Sequence, residues 1–169
     1  MHKRISTSLG KVRVIFVLSA LVAVSSCCSE KGAPVDALRP DQLQWVSFTH
    51  ATIPYSLRYP ELFKADEEKG GSAFFRYNCE VPMLVRFHDE REGRSRGAWF
   101  GHEPVEDIQL SGRAGKKYIY EHQDGPFGAR TVAYVVAYRD KYLGLEFRTP
   151  GALNEVQQRI LDSFTIPTE

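Results

Sequence analysis

Three strand-like runs near the C-terminus, residues 116–123, 129–139 and 142–148, constrain this chain more than any other feature. Each is rich in β-branched and aromatic residues, and only Asp124-Gly125-Pro126-Phe127-Gly128 and Asp140-Lys141 separate them. Such short connections predict an antiparallel meander. With Gln123 opposite Ala129 and Arg139 opposite Tyr142, one face gathers Tyr118, Tyr120, Val132, Tyr134, Val136, Tyr138, Leu143, Leu145 and Phe147. The other gathers Lys117, Glu121, Thr131, Ala133, Ala137, Glu146 and Arg148, with Ile119 and Val135 as exceptions. The first face is therefore expected to be core and the second mostly solvent. Thr149-Pro150 then reads as the cap and first turn of a helix over 151–163. Its apolar stripe of Leu153, Val156, Ile160 and Phe164 is expected to lie on the tyrosine-rich face.

The N-terminal half is less regular. Residues 44–49, 53–59, 72–79 and 83–88 each suit a short strand, while the polar stretch 64–71, ending in Gly70-Gly71, reads as a turn. Residues 42–169 thus form a single α+β domain, long enough to bury a core. A central antiparallel sheet of about six strands is expected, with the C-terminal helix packed on one face.

Several of these segments together resemble the PsbP-like superfamily. They are an apolar segment ending in Tyr59-Pro60 and then Phe63, Gly112 ahead of Tyr118-Ile119-Tyr120-Glu121, the strand Tyr142-Leu143-Gly144-Leu145-Glu146-Phe147, and the closing Ile160-Leu161-Asp162-Ser163-Phe164. The superfamily includes the photosystem II extrinsic subunit, a nuclear Ran-binding protein and small bacterial lipoproteins. The resemblance, over about 42–166, implies an α/β/α sandwich and roles in binding or assembly rather than catalysis. Many members carry a longer middle helix. Here residues 89–103 are short and charged, so that helix is expected to be missing or reduced to one turn.

At the N-terminus, Lys3, Arg4, Lys11 and Arg13 precede the apolar run 14–24, which is shorter than the roughly 20 residues of a spanning helix. The run ends in Val24-Ser25-Ser26-Cys27, which resembles a lipobox. The resemblance implies a signal peptide over 1–26, a diacylglycerol on the Cys27 thiol and a lipidated tether over 27–41. Val24 and Ser26 depart from the usual Leu and Ala or Gly, and an ordinary secretory signal or an uncleaved anchor is the alternative. Two or three acyl chains, at about 0.8 kcal/mol per buried CH₂, hold a protein on a membrane. The expected address is the bacterial cell envelope, and the outer membrane in a host with two, because no Asp follows Cys27.

Of the 22 basic and 21 acidic residues, four basic ones and no acidic one precede Cys27, leaving 18 against 21. With Lys and Arg scattered singly, no nucleic-acid partner is expected. Cys28 and Cys79 remain beyond Cys27. A disulfide between them is allowed in an oxidising compartment but not readable from spacing, and unpaired thiols are the expectation.

Candidate chemistry is sparse. His50, His88, His102 and His122 stand apart without a metal-binding spacing, so neither metal nor cofactor is expected. The serines lack a nucleophile motif and the glycines lack that of a phosphate loop. Residues 89–100 offer the best candidate partner surface, in Arg91, Arg94, Arg96, Trp99 and Phe100. The alternative is a solvated charged loop with Trp99 packed back into the core. A non-enzymatic module that binds or assembles an envelope protein partner is the leading expectation. A lipid or small-ligand pocket between helix and sheet, and a hydrolase built around His88, Asp89 and Glu90, are the alternatives.

Overall fold

The structure, a computed structural model, describes residues 32–95, 99–121 and 130–167. Its strands and helices are β1 (Trp45–Thr49), β2 (Ser56–Pro60), β3 (Lys64–Glu67), β4 (Ala73–Tyr77), β5 (Glu80–His88), α1 (Glu90–Ser95), β6 (Glu106–Leu110), β7 (Arg113–Glu121), β8 (Arg130–Tyr138), β9 (Lys141–Arg148) and α2 (Glu155–Ser163). β1 and β2 form a two-stranded ribbon, and the other strands form one antiparallel sheet in the order β3-β4-β5-β9-β8-β7-β6. The α+β class holds, with seven strands in the main sheet rather than six.

Both added strands are sheet edges. Residues 64–67 were expected in a turn, yet they pair with β4 as β3, where the exposed Asp66 meets Arg76 at 2.8 Å. β6 has the same polar character. Edge strands with little buried surface carry no apolar alternation, and charge there discourages unwanted pairing. β4 and β5 are joined through Asn78 and Cys79, both left-handed at φ 49° and 65°, as the two-residue hairpin turn requires. The β4–β5 register then shifts beside Pro82, which has no N–H to give a ladder. Cys79 is disulfide-bonded rather than a free thiol. Cys27 and Cys28 lie outside the described residues, as does the whole expected signal.

Register decides the faces. Tyr138 pairs with Lys141 around Arg139-Asp140, two positions from the expected alignment, which leaves the faces of β8 and β9 unchanged. β7 is offset by one, with Tyr118 opposite Ala133 and Tyr120 opposite Thr131, so its two tyrosines turn to the second face. Lys117 takes the core side instead, its Nζ 5.8 Å from the Tyr134 ring and 2.9 Å from Glu106. A long stem covers the ring while its charge stays at the rim.

The ribbon and α2 cover the core face. Phe48 and Leu57 from the ribbon, with Tyr55 and Phe63 beside it, meet Phe75, Val85, Leu145 and Phe147 of the sheet and Val156, Ile160 and Phe164 of the helical segment. The cap of α2 is Asn154, not Thr149. The Asn154 side chain accepts from Gln157 N–H at 2.8 Å and the Gln157 side chain from Asn154 N–H at 3.1 Å, which satisfies two otherwise orphaned donors. Thr149 Oγ1 accepts from Gly151 N–H and donates to Ala152 C=O, so it shapes the preceding turn.

The described part of the expected tether lies on the domain. Val35, Leu38 and Leu43 pack against the core, Tyr77 donates to Ala33 C=O at 2.9 Å, and Asn154 donates to Asp36 at 3.0 Å. No helix among the described residues is long and apolar enough to cross a membrane.

Candidate functional site

The second face of the sheet, expected to meet solvent, is partly roofed by α1 and by Trp99–Gly101. The roof is the expected middle helix in short form: α1 spans six residues and a 3₁₀ turn follows at Trp99–Gly101. Trp99 is 1% exposed and packs with Tyr120, Ala133 and Val135, with Phe100 and Tyr118 at the margin. It fits because β9 has no side chain at Gly144, where a Cβ would come within 2.4 Å of the indole. Phe100 lies over Gly93, 5.1 Å from the Trp99 ring and 5.3 Å from that of Tyr142.

This placement corrects the expected projecting surface. Trp99 and Phe100 come together as a lid on the sheet, because burying two rings against Ala133 and Gly144 removes more apolar area from water than leaving them on a charged loop. Arg91 and Arg94 stay exposed, Arg94 bonded to Glu90 one turn back at 2.6 Å. Arg96 lies outside the described residues.

A polar group of three is enclosed beside the lid. Glu146, 1% exposed, receives the Tyr120 hydroxyl at 2.9 Å and lies 2.5 Å from the Arg86 guanidinium. Burial pushes the Glu146 carboxyl up to about 7, although Arg86 and Tyr120 pull the other way. Burial and the neighbouring Glu146 also hold the Tyr120 hydroxyl far above its ordinary range. His102 stacks on the Tyr120 ring at 4.7 Å. Glu146, Thr131 and Ala133 are thus buried where solvent was expected. Alternation alone places a carboxylate outside, and nothing in the sequence near Glu146 announces its partner on β5.

The other candidates serve local structure. His50 Nδ1 accepts from the N–H groups of Thr52 and Ile53 at 3.2 and 3.1 Å, and its ring stacks on Tyr55 at 5.2 Å. Buried His88 has Nδ1 3.6 Å from Glu92, Asp89 accepts from Glu92 N–H at 2.8 Å, and Glu90 is held by Arg94. His88, Asp89 and Glu90 therefore do not converge on one point. His122 lies outside the described residues. Among the described residues no group of three or more His, Cys, Asp or Glu is placed to hold a metal ion.

Open concavities lie elsewhere, on both sides of β6. On the core side, a groove of about 640 Å³ runs between β6 and α2, lined by Glu106, Ile108, Tyr134, Leu161, Asp162 and Phe164 among others. On the lid side, a groove of about 480 Å³ has Val135, Ala137 and Gly115 between Tyr118 and Tyr142, with Lys116, Asp107 and Gln109 at its rim. Sequence reasoning missed this site because it missed β6. The available signal was the alternation of Ile108 and Leu110 with polar neighbours just before the Ser111-Gly112 turn.

No protein-family model matches the sequence, and no curated protein does. Solved structures similar to the chain include a protein from Bacteroides thetaiotaomicron VPI-5482, at 10% identity and a TM-score of 0.46. That match covers 68% of this chain and 46% of the other, so the chain spans about half the length of that protein. They also include the cyanobacterial PsbP (CyanoP) of Synechocystis sp. PCC 6803, at 14% identity and a TM-score of 0.47, covering 81% of this chain and 99% of that one. The likeness concerns fold alone.

Proposed function

We propose that this protein is a lipid-anchored module of the bacterial cell envelope that binds a protein partner, or helps assemble one, without catalysing a reaction. The observation that carries the binding half is the position of the grooves. Both are open and share one sheet edge, a shape suited to an extended polymer. Meanwhile Glu146, the buried carboxylate whose affinity for a proton is raised, is sealed between Arg86 and Tyr120 and out of a substrate's reach. The anchoring half is supported by Val24-Ser25-Ser26-Cys27 behind a basic start and a short apolar run. Lipidation at Cys27 and, in a host with two membranes, residence at the outer one belong to this reading.

Affinity capture from detergent-solubilised envelope, followed by mass spectrometry, tests the binding half. A protein recovered reproducibly at fixed stoichiometry is the expected result. The lid-side groove, at about 480 Å³, is within the size range of small-ligand pockets, which favours the ligand alternative in one respect. Native mass spectrometry that finds a lipid or metabolite on the protein, with no protein partner, would replace the proposal with that reading.

A further inference from the structure

We infer that the free edge of β6 pairs with an extended segment of a protein partner, which alternates basic side chains toward Glu106 and Asp162 with apolar or aromatic ones on the lid side, beside Asp107 and Gln109. The inference rests on the proposed binding function and adds the mode of binding and the chemistry of the partner.

Among the described residues β6 ends the sheet, bonded to β7 on one side only. Such an edge offers a row of unpaired N–H and C=O groups to an incoming strand. Successive side chains of that strand would point to opposite faces, about 3.3 Å apart along the chain and about 4.8 Å beyond β6. One groove lies on each face, and β6 itself lines both, through Glu106 and Ile108 on the core side and Asp107 and Gln109 on the lid side. An added strand therefore lays every second side chain along the mouth of the core-side groove, and the alternate ones beside Asp107 and Gln109 on the lid side.

The two linings ask for different residues. On the core side, Lys117 already holds Glu106, but Asp162 only accepts from Gln158 at 2.7 Å, with no cation beside it among the described residues. Ile108 and Leu161 supply an apolar floor beneath it. A lysine or arginine covers that floor with its stem and brings its charge to Asp162, whereas an acidic side chain is repelled. On the lid side, Lys116 neutralises Asp107, so that face of β6 offers the added strand no free charge. An aliphatic or aromatic side chain fits there. A second copy of this chain fits poorly, because its β6 would bring Glu106 and Asp107 to an edge that already carries them.

The test uses the full chain in detergent, with a blocked peptide alternating lysine and phenylalanine as the probe. Its control is the same peptide with glutamate for lysine. The lysine peptide is expected to slow hydrogen exchange at amides of 106–110 and to bind at least about tenfold more tightly than the control. Asp162→Lys, at an exposed position, should weaken it by about tenfold with the thermal midpoint unchanged. Equal binding of the two peptides overturns the inference. So does protection that falls elsewhere, or protection of β6 that grows with protein concentration without peptide, which would assign the edge to a second copy. Envelope capture repeated with Asp162→Lys separates this inference from the function beneath it. Loss of the partner supports pairing at β6, while a partner retained in full overturns it and leaves the binding function standing. No stoichiometric partner with either protein removes both.

Discussion

Gly144 and Trp99 fit only as a pair: the indole occupies the space that any side chain on that stretch of β9 would need. Trp99→Ala should therefore destabilise the fold by about 3 to 5 kcal/mol, the usual cost of emptying a large buried site. Gly144→Ala should act in the same direction by lifting the lid. In a Trp45→Phe background the emission of Trp99 should be blue-shifted and resist quenchers, and a red-shifted, readily quenched signal would contradict the burial. Glu146 supports a prediction with a sign. Its carboxyl rises from an ordinary 4.5 to about 7 in the folded protein, so between those values the folded state holds more protons than the unfolded one. This group's contribution to stability is thus fully present below about pH 4.5 and is lost as pH rises through about 7. Denaturant midpoints of the native protein and of Glu146→Gln, compared across that window, should show the native slope flattened in the variant. The variant should come closest to the native protein below about pH 4.5, where Glu146 carries no charge to lose. Parallel curves would show that Glu146 does not titrate there.

Among the elements, α2 shows what a local signal decides. Asn154 and Gln157 cap it reciprocally, so Asn154→Ala should cost about 1 kcal/mol, whereas Thr149→Ala should leave the helix start in place and loosen only the preceding turn. Amide exchange at Val156 and Gln157 distinguishes the two variants. β8, β9 and α2 were legible because their large apolar side chains recur with periods of two and about 3.6, even where the positions between them are buried too. β3 was not, because so little of it is buried, and the alternation of β6 is confined to Ile108 and Leu110, too short to stand out from the polar residues around it. The faces of β7 were misassigned for a further reason: Lys117 and Ile119 fit the core side about as well as Tyr118 and Tyr120, and only the space over Gly144, Ala133 and Val135, filled by Trp99, favours the tyrosines on the second face. The candidate site inherits both difficulties, since its strand is an edge and its lid-side walls are Tyr118 and Tyr142.

For the whole molecule, location and binding are separate questions with separate tests. A module whose proposed partner is met through an exposed sheet edge gains from an anchor, because two acyl chains confine it to a surface and raise its effective concentration toward anything else held there. The proposed anchor is Cys27, and no helix among the described residues is long and apolar enough to cross a membrane. Cys27→Ala should therefore move the protein from the membrane to the soluble fraction, or leave an unprocessed precursor with its apolar run 14–24 still attached. In either case labelled palmitate should no longer be incorporated. The same variant should still bind the alternating lysine and phenylalanine peptide with unchanged affinity, since the edge of β6 owes nothing to the lipid. Labelling that persists in Cys27→Ala would sink the lipid assignment without touching the edge, whereas peptide binding lost along with the lipid would mean that the two are not independent.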